Sequence, residues 1–178
     1  LGIRCFGENR VQEAETKSPH ISNNSELHFI GHLQSNKAKK AVQLFDVIQT
    51  IHSLKLAEKI NLYAKKINKT QRIYCQINIG NDPNKTGFFL EGFHKNIHQI
   101  INQPNLSLEG IMTILPINIS TQQTKNLYVQ TRKITNNIEK KYNLDLQISM
   151  GMSNDYLLAI ECGATIVRIG TKLFGKQP

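Results

Sequence analysis

The stretch QISMGMSNDYLLAIECGATIVRIGTKLFG, residues 147–175, decides the predicted fold. Residues 146–150 alternate apolar and polar side chains, which is the pattern of a β-strand. Gly151 ends this strand, and a helix is predicted to begin near Ser153, because Ser153, Asn154 and Asp155 precede an apolar run and such side chains accept a hydrogen bond from a free backbone N–H. Residues 165–169 are nearly all apolar and predict a second strand that is buried on both faces.

Each of these two strands is followed by a glycine and a hydroxyl side chain, Gly151 with Ser153 and Gly170 with Thr171. Small residues let backbone N–H groups approach an anion, and hydroxyl groups donate hydrogen bonds to it. In (β/α) barrels, the loops after the last two strands form a recurrent phosphate site. Arg168 adds a positive charge near the end of the second strand. The stretch therefore predicts a phosphate site, and glycines that only form turns remain the alternative.

Upstream of this stretch, strands and helices alternate along the whole chain. The predicted strands cover residues 3–6, 27–30, 47–51, 73–79 and 106–115, and the predicted helices cover residues 11–17, 35–45, 54–69, 90–103 and 121–142. Such alternation predicts parallel strands joined by right-handed crossovers. No linker or low-complexity segment divides the sequence, so residues 1–178 are predicted to form a single domain.

Two architectures fit this alternation, an open doubly wound sheet and an eight-stranded barrel that lacks one strand. A dinucleotide-binding open sheet has a GxGxxG turn near its start, and this sequence has none. Instead, polar residues such as Asn9, His32 and Ser153 follow most of the predicted strands, as at the carboxyl-terminal mouth of a barrel. We therefore predict an α/β fold, a TIM-like (β/α) barrel, whose first strand and helix precede Leu1 in the intact protein.

The charge and cysteine content narrow the classes of partner and compartment. The chain carries 22 Lys and Arg against 13 Asp and Glu, a formal charge of +9, which favours anionic partners. Its lysines are scattered, so solvated helix faces are favoured over a nucleic-acid patch. No segment is long and apolar enough to span a membrane.

Cys5, Cys75 and Cys162 lack metal-binding spacing and have apolar neighbours, which predicts buried thiols in a reducing compartment such as the cytoplasm.

Four sequence motifs occur in a fixed order along the chain. They are FGENRVQE at residues 6–13, HFIGHLQSNK at 28–37, SMGMSNDYLLAI at 149–160 and VRIGTKLFG at 167–175. Through these motifs, essentially the whole chain resembles the pyridoxal phosphate homeostasis family. The resemblance implies a barrel of the alanine racemase N-terminal type and binding of pyridoxal 5′-phosphate (PLP). It further implies a role in vitamin B6 homeostasis without an established enzymatic reaction.

The same motifs imply which residues surround the cofactor. The resemblance puts four residues around the cofactor phosphate: Ser153, Arg168, Gly170 and Thr171. Asn9 and His32 match family positions near the ring, at the strand ends. A structural ion pair remains the alternative role for Arg168, and a purely structural histidine remains the alternative for His32.

One departure from the family bears on the chemistry. In the family, the lysine that forms the Schiff base lies on the first strand, ahead of the FGEN motif. That lysine is expected upstream of Leu1 and is absent from this chain. Because no lysine falls on a predicted strand, this chain is expected to hold PLP only non-covalently.

Two other functions stay open from the sequence. A PLP-dependent amino-acid racemase of the alanine racemase class needs a Schiff-base lysine and an opposing acid or base, commonly a tyrosine from a second domain. A barrel that acts on a sugar phosphate needs no cofactor. The favoured expectation is a monomer that binds PLP and has neither nucleic acid nor a membrane as partner.

Overall fold

The computed structural model describes residues 2–22 and 24–175, and its seven strands form one parallel sheet. The strands are β1 (Cys5–Glu8), β2 (Glu26–Phe29), β3 (Val47–Ile51), β4 (Gln71–Ile77), β5 (Leu106–Thr113), β6 (Gln147–Met152) and β7 (Ile166–Arg168). The helices are α1 (Val11–Lys17), α2 (Ala38–Leu44), α3 (Leu54–Lys66), α4 (Leu90–Ile101), α5 (Thr121–Tyr142), α6 (Tyr156–Glu161) and α7 (Thr171–Phe174), with short 3₁₀ turns at Ser18–His20 and Ser35–Lys37.

The strand order distinguishes between the two predicted architectures. Each strand pairs with the next one in the sequence, so the sheet runs from β1 to β7 without a reversal. A doubly wound sheet reverses its order at a switch point, and this sheet does not. Ser149 on β6 donates a hydrogen bond of 2.7 Å to Gln49 on β3, although β4 and β5 lie between them. Only a strongly curled sheet brings these side chains together, so the barrel prediction is confirmed.

Apolar side chains fill the space between the sheet and its helices. Phe45 is fully buried after α2, and its ring meets that of Phe29 on β2 edge-on, with 5.0 Å between centroids. Helix ends follow from local chemistry. Ser120 and Gln123 form a reciprocal capping box at the start of α5, and Asn143 ends that helix in the left-handed conformation. The predicted bounds of α5 therefore match those in the structure.

Three expectations from the sequence are wrong in detail. β7 is not buried on both faces, because within the described chain it pairs only with β6, and all three of its residues are half-buried. Cys5 is exposed, since β1 likewise pairs only with β2, whereas Cys75 and Cys162 are buried as expected. Helix α6 begins at Tyr156 rather than near Ser153. The expectation of a unit preceding Leu1 lies outside the described residues.

The interior of the barrel contains an ionic cluster toward the amino-terminal ends of the strands. The Nε of Arg72 lies 2.8 Å from both carboxylate oxygens of Glu109, and its Nη1 lies 2.6 Å from Oε1 of Glu26. The second oxygen of Glu26 lies 3.1 Å from Nε2 of His28. These contacts lower the pKa of Glu26, chiefly through the hydrogen bond from Arg72 and next through that from His28.

Acid unfolding should reveal the contribution of Glu26. Because its pKa is lowered on folding, Glu26 contributes stability that is fully present above its ordinary value of 4.5 and is lost as the pH falls through the lowered value. We expect Glu26→Gln to be less stable than the wild type at neutral pH and to lose less stability on acidification. Urea unfolding between about pH 6 and pH 3 measures this difference.

A matched control is Glu58→Gln on α3, because Glu58 is exposed and makes no ion pair within the described part of the chain. This variant should follow the wild-type curve. Parallel curves for Glu26→Gln and the wild type would show that Glu26 makes no pH-dependent contribution.

Candidate functional site

The predicted phosphate residues come together in the loops after β6 and β7. Ser153 lies in the turn between β6 and α6, and Gly170 and Thr171 form the junction between β7 and α7. The backbone N–H of Lys172 donates to the Ser153 hydroxyl across 3.3 Å and thereby joins the two loops. The sequence predicted this neighbourhood, whereas the short helix α7 was not predicted.

Several hydrogen-bond donors in these loops are available to a ligand. Among the described residues, the backbone N–H groups of Ser153, Gly170 and Thr171 donate to no protein acceptor. A Cβ built at Gly170 would meet no atom within 4 Å, so the space beside this backbone is open. Clustered N–H groups beside open space are a suitable arrangement for a phosphate group. The residues present therefore fit the phosphate of PLP.

The turn that carries Ser153 is held by Gly151 and Asp155. Gly151 has a φ of +92°, and a Cβ there would lie 2.5 Å from the Cβ of Ala159. Asp155 accepts one hydrogen bond from the backbone N–H of Met152 at 2.7 Å and another from the Tyr128 hydroxyl at 2.8 Å. Burial, together with this contact to Asp155, raises the pKa of Tyr128. Asp155 therefore connects the turn both to the end of β6, through Met152, and to α5, through Tyr128.

Arg168 extends from β7 into the barrel interior. Its Nη1 donates to the Ser149 hydroxyl at 2.7 Å, and its Nη2 donates to the backbone carbonyl of Thr113 at 2.8 Å. Burial lowers the pKa of Arg168 to about 10, so the guanidinium is still charged at neutral pH. No carboxylate of the described chain forms an ion pair with it. The expected alternative of a structural ion pair is therefore not favoured.

Asn9 and His32 lie at the same end of the barrel, after β1 and β2. The two segments touch, because a Cβ built at Gly31 would lie only 2.0 Å from the backbone oxygen of Asn9. The His32 ring lies 5.0 Å from that of His52, centroid to centroid, and Nδ1 of His32 lies 3.3 Å from the Thr86 hydroxyl. Burial lowers the pKa of His52, and the neighbouring His32 acts in the same direction.

A cavity of about 570 Å³ opens over the ends of β5, β6 and β7. Its lining residues include Pro116, Met152, Leu157, Arg168 and Lys172. The ammonium group of Lys172 lies 4.7 Å from the centroid of the Tyr156 ring. This volume is in the usual range for a small-molecule site.

Sequence reasoning missed the side chains that support Arg168 and Ser153. Gln49 and Ser149 contact residues far away in the chain, and Asp155 contacts the distant Tyr128 as well as the nearby Met152. Gln49 and Ser149 carried one signal, namely a polar residue inside an apolar strand, which is costly to bury without a partner. Across residues 2–22 and 24–175, no group of three or more His, Cys, Asp or Glu side chains could hold a metal ion. In the same ranges, no helix has the length and apolar character needed to cross a membrane.

Comparisons with known proteins agree with this geometry. The family model for the alanine racemase N-terminal domain matches residues 1–178. The pyridoxal phosphate homeostasis protein of Synechocystis sp. is 39% identical over 99% of this chain and 82% of its own length. That of Aquifex aeolicus is 36% identical over 99% of this chain and 78% of its own length. The chain belongs to the pyridoxal phosphate homeostasis protein family. The predicted resemblance is thereby confirmed.

Solved structures related to this pyridoxal phosphate homeostasis protein family have the same fold. PipY of Synechococcus elongatus PCC7942 with PLP bound superimposes with a TM-score of 0.91 at 35% identity, covering 98% of this chain and 82% of PipY. The structure of PipY without PLP gives a TM-score of 0.93 at 36% identity, covering 98% and 83%. An alanine racemase from Clostridium difficile 630 matches with a TM-score of 0.78 at 18% identity, covering 98% of this chain and 48% of the racemase, which shows a shared fold alone.

Proposed function

We propose that this chain binds pyridoxal 5′-phosphate and serves vitamin B6 homeostasis inside the cell, without catalysing a reaction of its own. One observation carries the proposal. The Arg168 guanidinium, which has no carboxylate partner in the described chain, lies at the mouth of a barrel whose last two loops present free N–H groups. A cation without a direct ion-pair contact, near such donors, favours a phosphorylated ligand. The names of the relatives and the PLP-bound form of PipY support the choice of ligand.

Each residue of the proposed site has a separate task. The backbone N–H groups of Ser153, Gly170 and Thr171, with the Thr171 hydroxyl, hold the phosphate dianion. Arg168 supplies the charge that draws the anion to the mouth. Asn9 and His32, at the ends of β1 and β2, would hold the pyridine ring. When bound, PLP contributes an aldehyde that reacts reversibly with amines.

The contacts proposed for the described residues are non-covalent, because none of the seven described strands carries a lysine. A Schiff base needs an amine held within bonding distance of the aldehyde, and an ordinary lysine is protonated at neutral pH. Lys172 lies on α7, and its ammonium group lies 4.7 Å from the centroid of the Tyr156 ring in a cation–π contact. The names of the relatives favour a role in holding the cofactor over racemising an amino acid.

The phosphate assignment is tested by Thr171→Val. The substitution keeps the side-chain shape but removes the hydroxyl, and a lost hydrogen bond to a charged group costs about 1.5–3 kcal/mol. We expect PLP binding to weaken about ten- to hundredfold, while binding of pyridoxal, which lacks the phosphate, barely changes. Equilibrium titration of both ligands, followed by absorbance, measures the two constants.

The control variant is Thr70→Val, because Thr70 is an exposed threonine just before β4, at the opposite end of the strands from the proposed site. It should bind both ligands like the wild type. Equal weakening of PLP and pyridoxal in Thr171→Val would remove Thr171 from the phosphate site. A wild-type chain that does not bind PLP would overturn the proposed function.

A further inference from the structure

A continuous row of hydrogen-bonded side chains crosses the barrel interior below the proposed site. Arg168 donates to the Ser149 hydroxyl at 2.7 Å, and Ser149 donates to Oε1 of Gln49 at 2.7 Å. Nε2 of Gln49 lies 2.8 Å from Nδ1 of His28, and Nε2 of His28 lies 3.1 Å from a carboxylate oxygen of Glu26. The row connects β7, β6, β3 and β2 and ends in the ionic cluster at the other end of the barrel.

The orientation of the Gln49 amide gives the row a single direction. An arginine only donates hydrogen bonds, and an ionised carboxylate only accepts them. Ser149 donates to Oε1 of Gln49, and Nε2 of Gln49 faces Nδ1 of His28, so Ser149, Gln49 and His28 each accept from the Arg168 side and donate toward Glu26. In this arrangement His28 carries its proton on Nε2 and accepts through Nδ1.

Burial leaves the middle of the row without alternative partners. The exposed fractions of Ser149, Gln49 and His28 are 0%, 1% and 2%, so solvent cannot replace a missing protein group. If Gln49 loses its amide, the Ser149 hydroxyl loses its acceptor and its orientation changes. The hydroxyl lone pair that receives Nη1 of Arg168 is then no longer held in place. The flexible Arg168 side chain keeps only the Thr113 carbonyl as a fixed partner.

We infer that Gln49 and Ser149 are positioning residues for Arg168, and that His28 anchors them from the far side. This inference rests on the proposed function, because it concerns the affinity of the barrel for PLP. Gln49 is expected not to touch the ligand. Its effect passes through Ser149 to the guanidinium, which must be held in one orientation before the anion arrives.

The test begins with Gln49→Met, which keeps the side-chain length and removes both hydrogen bonds. PLP affinity should fall about five- to twentyfold, in line with a weakened hydrogen bond to a charged group. The same Gln49→Met change made in a Ser149→Ala background should cause no further loss, because the two residues act in series. Equal losses in both backgrounds would overturn the inference.

A second readout is the ¹⁵N NMR spectrum of the His28 ring, which reports which nitrogen carries the proton. The wild type should give the Nε2–H form, and Gln49→Met should give a mixture of both tautomers, because Nδ1 has lost its donor. An unchanged ring spectrum would contradict the directed row. This readout does not depend on ligand binding, so it remains decisive if a variant binds no PLP.

The matched control is Gln71→Met. Gln71 is an equally buried glutamine at the amino-terminal end of β4, and its amide donates to the carbonyls of Phe45 and Asp46 rather than to the row. This variant should lose stability while PLP affinity and the His28 spectrum stay unchanged. A wild-type chain without PLP affinity would overturn the proposed function alone. A binding wild type with an unaffected Gln49→Met variant would overturn this inference alone.

Discussion

Arg168→Met is expected to weaken PLP binding about a hundredfold, which is the largest ligand effect that the structure predicts. The substitution removes a cation with no carboxylate partner in the described chain, and a hydrogen bond to a charged group contributes about 1.5–3 kcal/mol. It also leaves the Ser149 hydroxyl and the Thr113 carbonyl without their donor. The loss of these two hydrogen bonds destabilises the free chain as well as the complex. Titration with PLP at two salt concentrations measures the loss and its electrostatic part.

Two further variants separate charge from geometry at this position. Arg168→Lys keeps the charge but replaces the planar fork by a single ammonium group, so an intermediate loss is expected. Arg132→Met removes the same charge from a position on α5 that is not among the residues lining the cavity, and this variant should bind PLP normally. If Arg168→Met binds PLP as tightly as the wild type, the guanidinium is a structural group of the barrel and the proposed site is wrong.

The fold was largely predictable because its signals are local. Strands alternating with helices, and polar residues at the strand ends, indicated a barrel, and all seven predicted strands are present. The bounds of α5 were predicted to the residue, since Ser120 caps its start and Asn143 adopts a left-handed conformation at its end. Helix α7 was not predicted, because four residues after a strand carry no periodic pattern.

The supporting side chains of the site were not predictable in the same way. The hydrogen bond between Ser149 and Gln49 joins residues 100 positions apart, and no local pattern reports such a contact. Ser153, Asn154 and Asp155 were the candidates for the start of α6. Asp155 takes the position before that helix, and its carboxylate accepts a hydrogen bond from the Met152 N–H. The residues proposed to bind the phosphate were predicted from sequence motifs, whereas the contacts that hold them in place are visible only in the folded barrel.

Gly151→Ala is expected to cause the largest loss of stability among the variants discussed, about 2–4 kcal/mol. Gly151 has a φ of +92°, which side chains with a Cβ rarely adopt, and the added carbon would lie 2.5 Å from the Cβ of Ala159 and 3.2 Å from the Cα of Tyr156. Neither neighbour is the tip of a flexible side chain. The start of α6 must therefore move away from β6, and the turn that carries Ser153 must move with it.

Two measurements on Gly151→Ala separate the fold from the site. Urea unfolding should show the stability loss, and PLP titration at a temperature where the variant is folded should show weaker binding because Ser153 is displaced.

Gly92→Ala on α4 is the matched control, since a Cβ there meets nothing within 4 Å. That variant should gain about 0.5–1 kcal/mol of stability and keep its PLP affinity, because alanine restricts the unfolded chain more than glycine does. If Gly151→Ala is as stable as the wild type, β6 and α6 are packed less closely than described. If it is destabilised but binds PLP normally, the Ser153 turn does not hold the phosphate.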